Sequence, residues 1–254
     1  MVECLAEESR NMQRYFVKNS QIHDGIVDMD PIMHKHIAKV MRMKQGEKVI
    51  VTDESGQFFL ATVFDLEGGR LILEKALDEN NELDVDVTLV YGMPKGDKFE
   101  FVLQKATELG VTKIVPFLCA RSLIKMDESK FMKKKPRYER IIQEASEQSH
   151  RNICPEVTAP IHLKELKDYL SEVNVVAYEE SAKQGEVSAF HQALEKLTTS
   201  ITIIVGPEGG FDESEIEEMK KIGITPVGLG KRILRSESAP LYMLSVIGYE
   251  RELA

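Results

Sequence analysis

Ile201-Thr202-Ile203-Ile204-Val205-Gly206-Pro207-Glu208-Gly209-Gly210-Phe211 is the stretch on which the architecture of this 254-residue chain turns. Residues 201–205, rich in β-branched side chains, read as a strand buried on both faces. The glycines that follow read as a tight turn, and residues 212–222 read as a helix. Asp212 stands where an N-cap belongs, and Glu215 follows at capping-box spacing. A strand that turns sharply into a helix is the unit of an open α/β sheet, and such sheets bind ligands beyond the carboxyl ends of their strands. Gly206, Gly209 and Gly210 let the backbone approach a ligand closely. Pro207 stiffens the turn, and the free amides at the helix start offer donors to a polar group. The stretch lacks the Gly-Lys-Ser/Thr end of a phosphate loop and the G-x-G-x-x-G spacing of a dinucleotide fold. On its own it reads equally well as a tight turn that binds nothing.

A second stretch repeats the pattern: Val227-Gly228-Leu229-Gly230-Lys231-Arg232-Ile233-Leu234-Arg235-Ser236-Glu237-Ser238-Ala239. It leaves a strand, passes glycines and enters a helix that Ser238 is placed to cap. Two such exits in succession are expected to form two walls of one crevice. Leu229, Ile233 and Leu234 are apolar residues in a polar loop, suited to sandwich a flat adenine ring while backbone groups read its edge. Each of them taken singly also reads as a plug for the core beneath the loop. Arg235 is placed to hold a phosphate or to steady negative charge developing on a reacting base. Glu237 is placed to orient Arg235 or to accept a proton. The plainer alternative for this pair is a surface ion pair of small energetic consequence.

Outward from these exits, strands and helices alternate. Residues 85–91, 113–117, 156–158, 173–178, 201–205 and 226–229 are expected as strands, and 99–109, 131–150, 187–197, 212–222 and 239–251 as helices. Phe99, Val102, Ala106 and Leu109 recur at helical spacing before Gly110 ends that run. The alternation implies an α/β fold with a mostly parallel sheet covered on both faces. The chain before residue 78 reads differently. Residues 14–17, 48–52, 57–64 and 70–73 are expected strands, with turns at Asp53-Glu54-Ser55-Gly56 and Glu67-Gly68-Gly69. Asp30-Pro31 opens a short helix as N-cap and first residue. Short antiparallel strands with tight turns suggest a small β-barrel. The polar, unpatterned segment 78–84 reads as a linker, which divides the chain into domains 1–77 and 78–254.

With 43% hydrophobic residues the chain can bury a sizeable core. Its longest apolar runs have strand length, so no membrane span is expected, and the N-terminus lacks the basic and apolar regions of a signal peptide. Cys4, Cys119 and Cys154 are odd in number and widely spaced. That argues against a disulfide framework, and no metal-ligand spacing appears. Neither a metal nor a covalent cysteine mechanism is expected, and a reducing cytoplasm fits best. His34 and His36, two apart, point in different directions on a helix, and His150, at a helix end, reads as a structural or RNA-contacting residue. The net charge of −9 by itself opposes nucleic-acid binding. The charges are unevenly spread, however. Basic residues gather at Lys133, Lys134, Lys135, Arg137 and Arg140, and again at Lys231, Arg232 and Arg235; from charge alone both clusters read as solvated surface, with a basic face on an acidic protein as the alternative.

Several further segments stand in a telling order. Met12-Gln13-Arg14-Tyr15-Phe16-Val17 precedes His36-Ile37-Ala38-Lys39-Val40-Met41-Arg42. Pro94-Lys95-Gly96-Asp97-Lys98 leads into Gln104-Lys105-Ala106-Thr107-Glu108-Leu109-Gly110-Val111, then Arg121-Ser122, then RIIQEASEQSHR at 140–151. With the two glycine-rich exits these span nearly the whole chain. In this combination the chain resembles the RsmE-type 16S rRNA (uracil-N3) methyltransferases of the SPOUT superfamily.

The resemblance implies an N-terminal PUA-like β-barrel for RNA and a C-terminal α/β domain tied in a deep trefoil knot, a feature otherwise very rare. It implies S-adenosylmethionine (SAM) bent among the knot loops, held by Tyr178 with Glu179 nearby, by Gly206, Pro207, Glu208, Gly209 and Gly210, and by Leu229, Gly230, Ile233, Leu234 and Arg235. It implies a homodimer acting on 16S rRNA or the small ribosomal subunit, with no metal and no membrane. Ser238 stands where many relatives carry Thr; both supply a hydroxyl. Arg14, Lys95, Lys98, Arg121, Arg140 and Arg151 fall in matching segments and are expected as RNA contacts. Uracil N3 carries a hydrogen and lies on the pairing edge, so the base must be unpaired and its anion favoured. Arg235 and Glu237 are the catalytic candidates. The competing readings are a methyltransferase of the same superfamily acting on another base, a non-catalytic RNA-binding or assembly protein, and a nucleotide hydrolase.

Overall fold

The computed structural model describes residues 12–122, 128–180 and 189–254. The chain divides into two compact units, Met1–Glu82 with Ser146–Ile153, and Leu83–Ala145 with Cys154–Ala254.

The first unit is built on β1 (Arg14–Phe16), β2 (Ile22–His23), β3 (Ile26–Asp28), β4 (Lys48–Thr52), β5 (Phe58–Asp65) and β6 (Arg70–Leu77), with a short helix α1 (Pro31–Lys35). The six strands form one sheet in the order β1-β4-β5-β6-β3-β2. Local chemistry sets the corners. Asp30 caps α1, its Oδ1 accepting the Ile32 and Met33 amides at 2.8 Å. Asp53 Oδ1 accepts the Ser55 and Gln57 amides and so closes the β4–β5 turn. The β2–β3 hairpin turns on Asp24-Gly25, both at positive φ (49° and 78°), the backbone that this residue pair favours. β1 departs from the all-antiparallel expectation: it runs parallel to β4. A parallel pair needs a long crossover, and residues 17–47 supply it. β4 alternates between two buried faces. Val49 and Val51 pack with Ile37, Val63 and Leu71, while Ile50 packs with Phe58 and Leu60.

Segment 78–84, expected as a linker, is tied down. The Glu82 carboxylate accepts from the Arg151 guanidinium and from the Asn152 amide at 2.7 Å, and the Asn81 amide donates to Asn152 Oδ1 at 2.8 Å. These bonds hold residues 146–153 to the first unit. The polar residues that look unpatterned in sequence are partners for a loop some seventy residues away, as in Arg151–Glu82.

The second unit contains β7 (Asp86–Gly92), α2 (Lys98–Glu108), β8 (Lys113–Phe117), α3 (Glu128–Gln148), β9 (Glu156–Val157), β10 (Val173–Ala177), α4 (Ala189–Leu194), β11 (Ser200–Val205), α5 (Glu213–Lys221), β12 (Thr225–Val227) and α6 (Ser238–Glu252). Its sheet runs β12-β10-β11-β7-β8-β9, and every pair is parallel. Both faces are covered. Ile201, Ile203 and Leu89 pack beneath Phe99 and Val102 of α2 and Leu244 and Ile247 of α6, while Val90, Val176 and Ile204 pack with Ile216 and Met219 of α5. The register aligns Val205 with Tyr91 and Ala177 with Val227, so neighbouring strands end together. From β7 the chain fills one side of the sheet with β8 and β9, then returns to fill the other. The boundary between β7 and β11 is therefore a topological switch point, where α/β sheets place their ligands. No helix among the described residues is long and apolar enough to cross a membrane.

Candidate active site

A cavity of about 720 Å³ opens beyond this edge of the second unit. Three strand exits wall it: residues 177–180 after β10, 205–211 after β11, and 229–236 after β12. Tyr178, Gly206, Pro207, Glu208, Gly209, Gly210, Leu229, Gly230, Ile233, Leu234 and Arg235, the candidates expected around the cofactor, all line it. Leu229 and Leu234 rest against the core, whereas Ile233 is 77% exposed at the mouth.

The glycines do different jobs. Gly210 and Gly230 have open space around them but sit at φ +64° and +96°, where a side chain would strain the backbone. Gly209 is tight instead: a Cβ there would meet Arg121 Cβ at 3.1 Å. Gly92, at the end of β7, is tighter still, since a Cβ would lie 2.5 Å from Pro207 Cδ and N. The β7 and β11 exits thus touch backbone to backbone, a contact that sequence reading did not find.

Charged groups fasten the first glycine loop. The Arg121 guanidinium donates to the Gly209 carbonyl at 3.2 Å and pairs with Asp212 at 2.5 Å. Glu215, in α5, accepts the Asp212 amide at 2.9 Å and the Ala120 amide at 2.8 Å, tying the exit of β8 to the start of α5. The Lys98 ammonium lies 3.0 Å from Glu208 and 3.1 Å from Glu237. Its hydrogen bonds to Glu208 and then Glu237 hold the Lys98 pKa above the ordinary value. Burial works against charge on both carboxylates. Each nevertheless sits below the usual carboxylate range, because its own backbone amide and Lys98 stabilise the ionised form, with further help to Glu208 from the Lys95 amide and to Glu237 from Ser236.

Similarity to known proteins now bears on this geometry. The chain is 41% identical to the ribosomal RNA small subunit methyltransferase E of Bacillus subtilis, over 95% of this chain and 98% of the relative. The chain belongs to the ribosomal RNA small subunit methyltransferase E family. Residues 81–248 match the RNA methyltransferase domain family, and residues 35–75 match the RNA methyltransferase PUA domain. The Synechocystis protein of the same name is 32% identical, over 92% of this chain and 76% of its own. Among solved structures, the methyltransferase E of Neisseria gonorrhoeae bound to S-adenosyl methionine superposes with a TM-score of 0.80, at 29% identity, over 93% of this chain and 97% of that one.

For a methyltransferase E chain, the six basic residues expected on RNA fall into distinct settings. Arg14 and Arg151 are buried. The side chain of each is 3% exposed, Arg14 pairing with Glu79 and lying 4.7 Å over the Phe58 ring, Arg151 gripping Glu82. Arg14 reaches Glu79 through Nη2 alone, its buried Nε and Nη1 making no hydrogen bond among the described residues, while Arg151 holds Glu82 through both Nε and Nη2. Arg140 is exposed and pairs with Glu144 one turn along α3. Lys95 is exposed. Lys98 and Arg121 line the cavity and hold its loops. Arg235 is exposed at the cavity rim, and among the described residues no carboxylate reaches it or Arg232. Glu237, expected to orient Arg235 or take a proton, is instead engaged by Lys98 and by the Ser236 hydroxyl at 3.2 Å. Ser238 is the first residue of α6 and makes no side-chain cap; the turn is closed by the Ser238 and Ala239 amides, both donating to the Arg235 carbonyl. At His150, burial and then the nearby Arg14 charge favour the neutral ring. No group of metal-binding side chains is found among the described residues.

Proposed function

We propose that this chain transfers a methyl group from SAM to N3 of a uridine in 16S rRNA of the small ribosomal subunit. The observation that carries the proposal is the convergence of three parallel-strand exits, two of them glycine-rich, on one cavity of about 720 Å³. That volume suits a nucleoside-sized ligand. Its lining fits this one. Open backbone at Gly210 and Gly230 admits close contact, Leu229 and Leu234 offer apolar walls to an adenine ring, and the Glu179 carboxylate on the lining suits a ligand carrying positive charge.

SAM, when bound, supplies a methyl group already activated by its sulfonium. The chain's own residues do the rest. The three exits orient the donor and exclude water from it. Arg235, exposed at the rim, steadies the anion formed when uracil N3 gives up its proton, or the adjoining phosphate. Glu237, committed to Lys98 and held below the usual carboxylate range, is a weak base, so the N3 proton leaves to water. The PUA-matching region and the exposed Lys95, Arg140 and Arg232 contribute RNA affinity. The knot, a homodimer and a cytoplasmic setting belong to the same proposal. In support of the dimer, Tyr242 and Tyr249 lie two turns apart on one face of α6 and are 40% and 59% exposed, with Leu253, just past the helix, 75% exposed.

The test is methylation of unmodified small-subunit RNA and of assembled subunits, with the product nucleoside located by mass spectrometry. A methyl at uridine N3 in one position is expected. Incorporation at another atom moves the proposal to another base, and no incorporation alongside intact SAM binding ends it.

A further inference from the structure

Lys98 joins parts of the second unit that lie far apart in sequence. It opens α2, just past the exit of β7. Its ammonium contacts Oε1 of Glu208, in the first glycine loop, at 3.0 Å, and Oε2 of Glu237, in the turn that carries Arg235, at 3.1 Å. Glu208 Oε1 also accepts the Lys95 amide at 3.2 Å, so the turn that delivers Lys98 is anchored on the same carboxylate. The three side chains are 32%, 28% and 18% exposed, which screens their attraction less than that of a fully solvated pair. Lys98 itself lines the cavity.

We propose that Lys98 is a positioning residue that locks the first glycine loop to the Arg235 turn, so that the methyl-donor walls and the guanidinium facing the RNA base are set as one unit. This rests on the reading of the cavity as the methyl-donor site. An ammonium has three donors, and two are committed to carboxylates, which leaves Lys98 poorly placed to serve as an RNA phosphate contact. Removing it leaves Glu208 and Glu237 without the cation they share. The loops then lose a tether, and the donor and the base lose their common frame.

The experiment compares full-length wild type with Lys98→Met and Lys98→Arg, by calorimetry with S-adenosylhomocysteine and by single-turnover methylation across a salt series. Lys98→Met is expected to weaken S-adenosylhomocysteine binding by roughly three- to tenfold, the size of two partly exposed ion pairs. It should also slow the turnover at saturating substrates and leave the KM for RNA and its salt slope unchanged. Lys98→Arg should recover most of both losses, since a guanidinium can bridge two carboxylates. Lys98→Met combined with Glu208→Gln should lose little more than the worse single variant, because both act through one contact. Unchanged S-adenosylhomocysteine affinity with weaker RNA binding and a shallower salt slope would overturn the proposal and make Lys98 an RNA ligand. Should Lys98→Met fail to fold, Glu237→Gln, which weakens one pair only, carries the same comparison, and wild-type affinity and rate in that variant would overturn the proposal equally. A wild-type protein that does not bind S-adenosylhomocysteine is a separate result, and it sinks the reading of the cavity itself.

Discussion

Adding one methyl group to Gly92 tests the site at its tightest point. The alanine Cβ would sit 2.5 Å from Pro207 Cδ and N and 2.8 Å from the Gly206 carbonyl carbon. Unbonded carbons settle near 3.5 Å, so the β7 and β11 exits would have to part by about 1 Å. Nothing there yields easily. The opposing atoms are backbone and a proline ring, and Gly92 is itself paired in the sheet opposite Phe117. Overpacking of this kind destabilises by about 1–3 kcal/mol. The loop that moves is the one that carries Glu208 and Gly209, and a displacement near 1 Å in a catalytic frame costs on the order of 100-fold in rate. Gly92→Ala should therefore melt earlier in urea, bind S-adenosylhomocysteine more weakly and methylate roughly 100-fold more slowly in single turnover. Gly248→Ala is the contrast. It lies in α6 with open space around its Cβ and an ordinary φ, so helix propensity should raise stability by about 0.5–1 kcal/mol. A Gly92→Ala protein that bound and methylated like wild type would refute the claim that these two exits are packed backbone to backbone.

Other outcomes follow from the same geometry. Arg151→Ala, which strips a buried partner from Glu82, should destabilise the protein by about 3–5 kcal/mol in chemical denaturation and leave the salt slope of RNA binding where it was; a stable variant with a shallower slope would restore Arg151 to the RNA surface. Arg235→Ala should slow single turnover by roughly 100- to 1000-fold with S-adenosylhomocysteine affinity changed little, and an equal loss in both would make Arg235 a cofactor ligand only. Glu172 titrates at about 2, below its ordinary 4.5, because the Thr198 hydroxyl and then the Thr199 and Thr198 amides bond its ionised form. The lowered folded value means its contribution to stability is complete above pH 4.5 and fades as the pH falls toward 2. Carboxyl-carbon NMR should show that value and its rise in Thr198→Val; a wild-type value near 4.5 would contradict the contacts. Tyr242→Ser with Tyr249→Ser should shift the protein toward monomer in sedimentation, and an unchanged mass would remove α6 from the subunit interface.

Much of the second unit was legible because its signals are local and repeated. Residues 201–205 are all β-branched, Asp212 and Glu215 mark a helix start, and Phe99, Val102 and Ala106 keep a helical period, so pattern and structure coincide there within a residue or two. The first unit was less legible. The hairpin at Ile22–His23 and Ile26–Asp28 escaped notice although Asp24-Gly25 is a strong turn pair, because strands this short show no alternation to read. The parallel pairing of β1 with β4 has no local signature at all. Within the site, the glycines identified the walls, but what secures them was hidden. Lys98 meets Glu208 and Glu237 only because β7 and β11 are neighbours in the sheet, and Gly92 presses on Pro207 for the same reason. The setting of Arg14 and Arg151 was hidden in the same way. An arginine in a matching segment looks like a phosphate ligand until its burial and its carboxylate are seen.

These placements also resolve how a chain of net charge −9 can serve RNA. Affinity for phosphate depends on cations whose donors are free, not on the sum over the chain. Many of the carboxylates behind that sum are already committed: Glu82 to Arg151, Glu215 to two backbone amides, Glu208 and Glu237 to Lys98. They act as struts, and the field they would project is largely cancelled at short range. The cations split likewise. Arg14, Arg151, Lys98 and Arg121 are held by acidic partners, while Arg232 and Arg235 stand exposed at the cavity with no described carboxylate in reach. Arg232 and Arg235 therefore offer an incoming phosphate local donors in a cavity that Glu179, Glu180 and Glu213 also line.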